Sequence, residues 1–164
     1  MAAIDVGNAA TNRATYVGAN ITYADDVNPA NLSGTIDTIE LWPQIQLTNC
    51  KVGLIYNTGG NDYKCRSVTT LGTVASGAKR TYSGLNLAVE AGDILAIFFD
   101  GGRLESDSSG GNRIYKAGDQ LTVNNEQTYT VSGNSTNSLY GSGETPAAGG
   151  AGGPAGLLVA QGII

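Results

Sequence analysis

Cys50-Lys-Val-Gly-Leu-Ile-Tyr-Asn-Thr-Gly-Gly-Asn-Asp-Tyr-Lys-Cys-Arg-Ser-Val68 reads as two strands folded about a glycine turn. Cys50, Val52, Leu54 and Tyr56 recur at every second position, which puts them on one face of an extended strand, and Tyr63 and Cys65 alternate on the return. Thr58-Gly59-Gly60-Asn61 supplies the turn, where glycine takes positive φ without a steric penalty. Matching the apolar faces sets Tyr56 opposite Tyr63 and Leu54 opposite Cys65. A one-residue slip would turn one strand's apolar set to the wrong side. On this register Cys50 shares a face with Cys65 but lies about 13 Å along the strand. A disulfide needs Cα atoms within roughly 7 Å, so both cysteines are expected to be free, buried and structural.

The same reading extends outward. Thr35 to Trp42 is a strand that stops before Pro43. Its apolar residues Ile36, Ile39 and Leu41 break a period of two, which predicts a bulge near Thr38. Ile94 to Phe99 is apolar throughout and bounded by turn residues, the pattern of a central strand buried on both faces. Shorter strands are expected around 13–24, 71–75, 79–83, 85–89, 120–123, 129–132 and 138–140, with no amphipathic helix. The expected fold is all-β: a single two-sheet antiparallel sandwich, jelly-roll-like, over residues 13–143. An extended N-terminal arm (1–12) precedes it and a Gly-rich tail (144–164) follows.

Val89-Glu-Ala-Gly-Asp-Ile-Leu-Ala-Ile97 resembles the penultimate-strand signature of jelly-roll modules. These include tumour-necrosis-factor-like heads, phage fibre and capsid-surface modules, and some carbohydrate-binding domains. The resemblance implies a fold and a habit of trimerising or coating surfaces. It brings no functional residue with it.

Composition narrows the chemistry. The chain has 164 residues, enough for one domain with a real core, and 24 of them are glycine. A formal charge of −5 argues against a nucleic-acid partner, which would draw on clustered Lys and Arg. The sequence contains no histidine, which removes the usual general base and the commonest zinc ligand. Two cysteines are too few for a structural zinc site. The N-terminal residues lack the basic and apolar regions of a Sec signal peptide, so the expectation is a protein made in the cytosol, exported by another route, or released by lysis as virion parts are.

Candidate sites follow from local chemistry. Asp100, Glu105 and Asp107 surround Gly101-Gly102 in an acidic, glycine-rich stretch read as a loop, and carboxylate oxygens there could hold Ca²⁺. Asp37 and Glu40, three residues apart on a strand, point to opposite faces unless a bulge intervenes, and read as ordinary polar residues. Trp42, at a strand end, and Tyr115, in a polar segment, are the aromatics expected to be exposed and available for stacking on a sugar. The tail ends in Leu157-Leu158-Val159-Ala160-Gln161-Gly162-Ile163-Ile164, far short of the about 20 residues that span a bilayer. Its apolar residues Leu157, Leu158, Val159, Ile163 and Ile164 read instead as a hook that fills a groove or adds a strand to a neighbour.

Together these features predict a non-enzymatic structural protein. It would be a self-assembling subunit of a virion surface, fibre or extracellular filament, homo-oligomeric or polymeric, with no cofactor required. The alternative is a lectin-like carbohydrate-binding module for a surface glycan, assisted by calcium.

Overall fold

Tight turns cut the chain into thirteen strands in the computed structural model, which describes residues 1–147. They are β1 (Ala3–Gly7), β2 (Thr15–Val17), β3 (Ile21–Asp25), β4 (Gly34–Leu41), β5 (Pro43–Gly59), β6 (Asp62–Val74), β7 (Arg80–Tyr82), β8 (Leu87–Val89), β9 (Ile94–Phe98), β10 (Gly101–Ala117), β11 (Glu126–Thr128), β12 (Thr130–Asn137) and β13 (Leu139–Glu144). No helix occurs among the described residues, so none there is long and apolar enough to cross a membrane. The strands form two antiparallel sheets. The smaller is ordered β1-β13-β4-β7, with β8 also on β4; the larger is β11-β6-β5-β9-β3-β10-β12, with β2 beside β10.

The sandwich core lies between the sheets. Ile4, Val6, Ile36, Ile39, Leu41 and Leu139 meet Val52, Leu54, Leu95, Ile97 and Leu104, all buried. Each such side chain contributes about 1.5–3 kcal/mol of gross transfer free energy. A second apolar layer covers the opposite face of the larger sheet. There Ile55, Ile94, Ala96, Phe98 and Ile114 are roofed by Leu121 and Tyr129 from the segment after β10. The central strand β9 is therefore buried on both faces, between β5 and β3, as its unbroken apolar run predicts.

The expected bulge in β4 is present. Thr38 pairs with Ser142 and Ile36 with Gly143, leaving Asp37 as the extra residue, so Ile36 and Ile39 both reach the core.

Four expectations need correcting. The hairpin register is shifted by one: Ile55 faces Cys65, Tyr56 faces Lys64, and Leu54 faces Ser67. Arg66 is the extra residue at that step, and this bulge on β6 inverts the alternation of the returning strand. Cys65 consequently joins the outer layer with Ile55, while Cys50 stays in the inner core. Both cysteines are free and buried, but they are on opposite faces rather than apart on one. Part of the N-terminal arm is a strand, because Ile4 and Val6 alternate into the core and β1 pairs with β13. Residues 120–123 form no strand; they belong to the roof that carries Leu121. Finally, the acidic stretch after Asp100 is strand β10, which absorbs its glycines at irregularities such as the register shift between Asp107 and Gly111.

Two predictions follow from this packing. Burial pushes the Cys50 thiol up to about 12 and the Cys65 thiol up to about 11. Neither should react with an aromatic disulfide reagent in the native protein, and both should react fully in denaturant. A methyl group on Gly143 would sit on the Thr35 carbonyl oxygen and Ile36 Cα, whereas one on Gly18 would meet open space. Gly143→Ala should therefore lower stability in urea by about 1–3 kcal/mol, and Gly18→Ala by less than about 0.5 kcal/mol.

Candidate functional site

The pairing of β3 with β10 sets Tyr23 directly across from Tyr115, and Asp25 across from Arg113. On the other side of β10, β12 places Ser132 opposite Arg113 and Thr130 opposite Tyr115. Residues two apart on a strand share a face, so Ile21, Tyr23, Arg113, Tyr115 and Ser132 converge. They line a cleft of about 150 Å³. Tyr23 is buried at its inner wall, Tyr115 is half-buried, and Ser132 is exposed at its rim. Burial pushes the Tyr23 phenol up from its ordinary value. The Arg113 guanidinium carbon lies 6.0 Å from the Tyr23 ring centroid, within reach of a cation–π attraction.

Arg113 Nε is buried and has no hydrogen-bond partner among the described residues. The residue across from it does not pair with it. Asp25 Oδ2 accepts from the Asn137 backbone N–H at 2.6 Å and from Asn8 Nδ2 at 3.0 Å, and Oδ1 accepts from Asn137 Nδ2 at 3.3 Å. Asp25 is 7 % exposed, and burial raises its pKa from 3.8 to about 6 against the opposing pull of Asn137 and Arg113.

Two larger clefts are closed on themselves. One, of about 230 Å³, contains Glu40 and Lys79, which pair with each other at 3.7 Å. The other, of about 300 Å³, lies by the β5–β6 turn. There Thr128 Oγ1 donates to Asp62 at 2.5 Å and Thr58 Oγ1 to Glu126 at 2.7 Å. The Tyr23–Arg113–Tyr115 cleft differs in being lined by an arginine that forms no ion pair among the described residues.

Of the residues singled out in the sequence, Tyr115 lines this cleft, on a strand rather than in a loop. Trp42 is half-buried between β4 and β5 and does not reach it. Its N–H donates to Ser138 O at 3.2 Å and its carbonyl accepts from the Glu105 N–H at 3.1 Å.

The three carboxylates are drawn to different partners. Asp100 accepts from Thr48 Oγ1 and Asn49 Nδ2, each at 2.6 Å, and these bonds hold its carboxyl below the usual range. Glu105 is buried and accepts from the Arg13 N–H at 3.4 Å. Asp107 accepts from the Ala14 N–H at 3.1 Å and from Arg13 Nη1 at 2.9 Å, and its carboxyl is likewise lowered. Arg13 thus takes up the position between Glu105 and Asp107. It also donates from Nε to Ser138 Oγ at 2.7 Å and from Nη2 to Ala9 O at 2.8 Å, fastening the segment before β2 onto β10. No group of three ligating side chains converges among the described residues. The apolar hook residues Leu157, Leu158, Val159, Ile163 and Ile164 lie outside the described residues.

Comparison with protein-family models and with curated proteins finds no match to this chain. The reading of the cleft therefore rests on its own chemistry. Sequence reasoning missed Tyr23, Arg113 and Ser132, and read Asp25 with Asp26 as an acidic turn, whereas Asp25 ends β3. The alternation Arg113-Ile114-Tyr115 was the one local signal, and it was masked by the glycines and polar residues before it.

Asp25 supplies a pH test. A carboxyl whose pKa is raised on folding keeps its proton in the native state after the unfolded chain has lost it. Stability therefore falls as pH rises from about 4 to about 6, and levels off above that. The shift corresponds to roughly 3 kcal/mol. Urea unfolding across this window should show that decline in the wild type and a much flatter profile in Asp25→Asn. Parallel profiles in the two proteins would show that Asp25 does not titrate with a raised pKa.

Proposed function

We propose that the protein is a non-enzymatic structural subunit that self-assembles on a virion surface or fibre or in an extracellular filament. The observation that carries this reading is the outer edge of β12. Thr130–Asn137 pairs with β10 on one side only, ends the larger sheet, and exposes five consecutive residues including Val131. The outer side of this strand, exposed over residues 130–134, is a template for strand addition, which soluble monomers normally blunt with charge, proline or a cover. The edge has none of these among its own residues.

The occupant we assign to it is the C-terminal octet Leu157–Ile164 of a neighbouring copy, whose leucine, valine and isoleucine suit a strand. Residues 145–156 before it, fully extended, reach about 40 Å, enough to cross to a neighbour. The chain approaches this segment through β13, which is held between β1 and β4. Thr145 is fastened beside the N-terminus, its N–H donating to Ala2 O at 2.9 Å. A tether rooted in a paired inner strand passes load into the sheet rather than peeling an edge. The strand order β6-β5-β9-β3 against β1-β13-β4-β8 supports a jelly-roll-like reading of the sandwich, a form common among surface-coating modules.

Light-scattering mass after gel filtration tests the proposal on three proteins: the full chain, a variant ending at Ala147, and Val131→Lys. An oligomer that falls to monomer mass in both variants is the expected result. A monomeric full chain at micromolar concentration would overturn self-assembly. An oligomer that survives both changes would overturn the tail and the β12 edge as its basis.

A further inference from the structure

The cleft between β3, β10 and β12 has the chemistry of a ligand site, and this goes beyond the assembly reading without depending on it. Of the five arginines, Arg13 and Arg66 are ion-paired, and Arg80 donates to the Ala75 and Ser76 carbonyls. Arg103 is exposed and lies over the Tyr16 ring at 4.1 Å. Arg113 alone combines partial burial with a buried donor that has no partner among the described residues. Nε is closed to solvent, so an incoming acceptor would have to meet the two Nη groups.

The surroundings define that acceptor. The guanidinium fork matches a carboxylate in two parallel hydrogen bonds. Asp25, the nearest acid in register, is already engaged by Asn8 and Asn137 and leaves that fork free. Tyr115, half-buried and directly across from the buried Tyr23, offers aromatic surface for the C–H face of a sugar ring. Tyr115 and Ser132, which also line the cleft, carry hydroxyls able to hydrogen-bond with ring hydroxyls. A cleft of about 150 Å³ is well below the size that encloses a drug-sized ligand, and suits a single terminal residue.

We propose that the cleft formed by Ile21, Tyr23, Arg113, Tyr115 and Ser132 binds a carboxylate-bearing monosaccharide unit, such as a uronic acid at the end of an acidic glycan. The carboxylate sits on Arg113 and the ring lies against Tyr115. This gives the carbohydrate-binding alternative a location and a charge class, and it needs no metal.

The test is an NMR titration of the full-length protein with glucuronic acid, glucose and acetate. Glucuronic acid should give saturable millimolar shifts confined to residues 21–25, 113–116 and 130–133. Glucose and acetate should each bind more weakly by about tenfold or more, since each supplies only part of the recognition. Arg113→Gln should abolish the glucuronic acid response while leaving the remaining amide shifts in place. Ser132→Phe blocks the rim from an exposed position and should do the same, which guards against a folding defect in the arginine variant. Equal responses to glucose and glucuronic acid would overturn the acidic class while leaving a neutral glycan site. Equal responses to acetate and glucuronic acid would overturn the sugar and leave only an anion. No saturable response to any of the three would overturn the site.

Discussion

Burial of β9 on both faces is the constraint from which the rest of the architecture follows. Leu95 and Ile97 face the smaller sheet, while Ile94, Ala96 and Phe98 face away from it. A strand of this kind needs two covers, and the smaller sheet supplies one. The other is the irregular segment after β10, locked on by backbone hydrogen bonds: Cys65 N–H to Asn125 O at 3.0 Å and Asn124 N–H to Cys65 O at 2.9 Å. The edge-on stacking of Tyr63 against Tyr129, with centroids 5.6 Å apart, closes the same roof. Satisfying backbone groups at this point lets a loop be buried, which otherwise it could not be. The long β10 is a consequence too, since one strand must border both the sandwich and the roof.

Buried charge is handled differently on the two sides of this frame. Asp93 is 2 % exposed and receives Arg66 Nε at 2.5 Å and Nη2 at 3.1 Å, while Arg66 also lies 4.2 Å from the Tyr56 ring. The bulge that displaced the hairpin register is what aims Arg66 at this carboxylate. Removing either partner would strand the other, whereas the intact pair contributes little net stability. At the opposite flank Asp25 and Arg113 stand across from each other, yet the acid bonds to neutral donors instead. Burial then favours the protonated acid, and the guanidinium is left available. One arrangement fixes the fold, and the other leaves the Arg113 guanidinium without an ion pair among the described residues.

What was legible in the sequence was the part governed by period-two burial. Ile94–Phe98 identified itself by an unbroken apolar run, and the misfit spacing of Ile36, Ile39 and Leu41 announced the β4 bulge one residue from its position. The hairpin failed because Arg66, the extra residue, is polar and carries no periodic signal. Its reason for bulging is Asp93, 27 positions away. The site was hidden for the same kind of reason. Tyr23 and Tyr115 become neighbours only through β3–β10 pairing, and Arg113 becomes notable only because Asp25 is bonded elsewhere. The acidic residues were read without their distant partners, Arg13 for Glu105 and Asp107, and Thr48 and Asn49 for Asp100. Local patterns specify which face a residue takes, whereas partners distant in sequence decide what its polar atoms do.

The two proposals meet at β12. Ser132 forms the rim of the cleft, and the backbone of the same strand is the edge assigned to an incoming tail. A strand hydrogen-bonded along residues 130–134 would restrict the twist of that edge, and so the position of Ser132 relative to Arg113. If the ligand favours the cleft geometry of the assembled state, assembly must tighten ligand binding by the factor by which ligand strengthens assembly. The coupling can be no larger than the difference in ligand affinity between the free and paired edge. Monomeric subunits would then bind single sugars weakly, and an assembled surface would bind the same termini more tightly even before many sites engage one glycan chain. Avidity multiplies affinity only where several sites reach the same partner. Such coupling would separate the two effects, because it acts on a free monosaccharide, for which avidity vanishes.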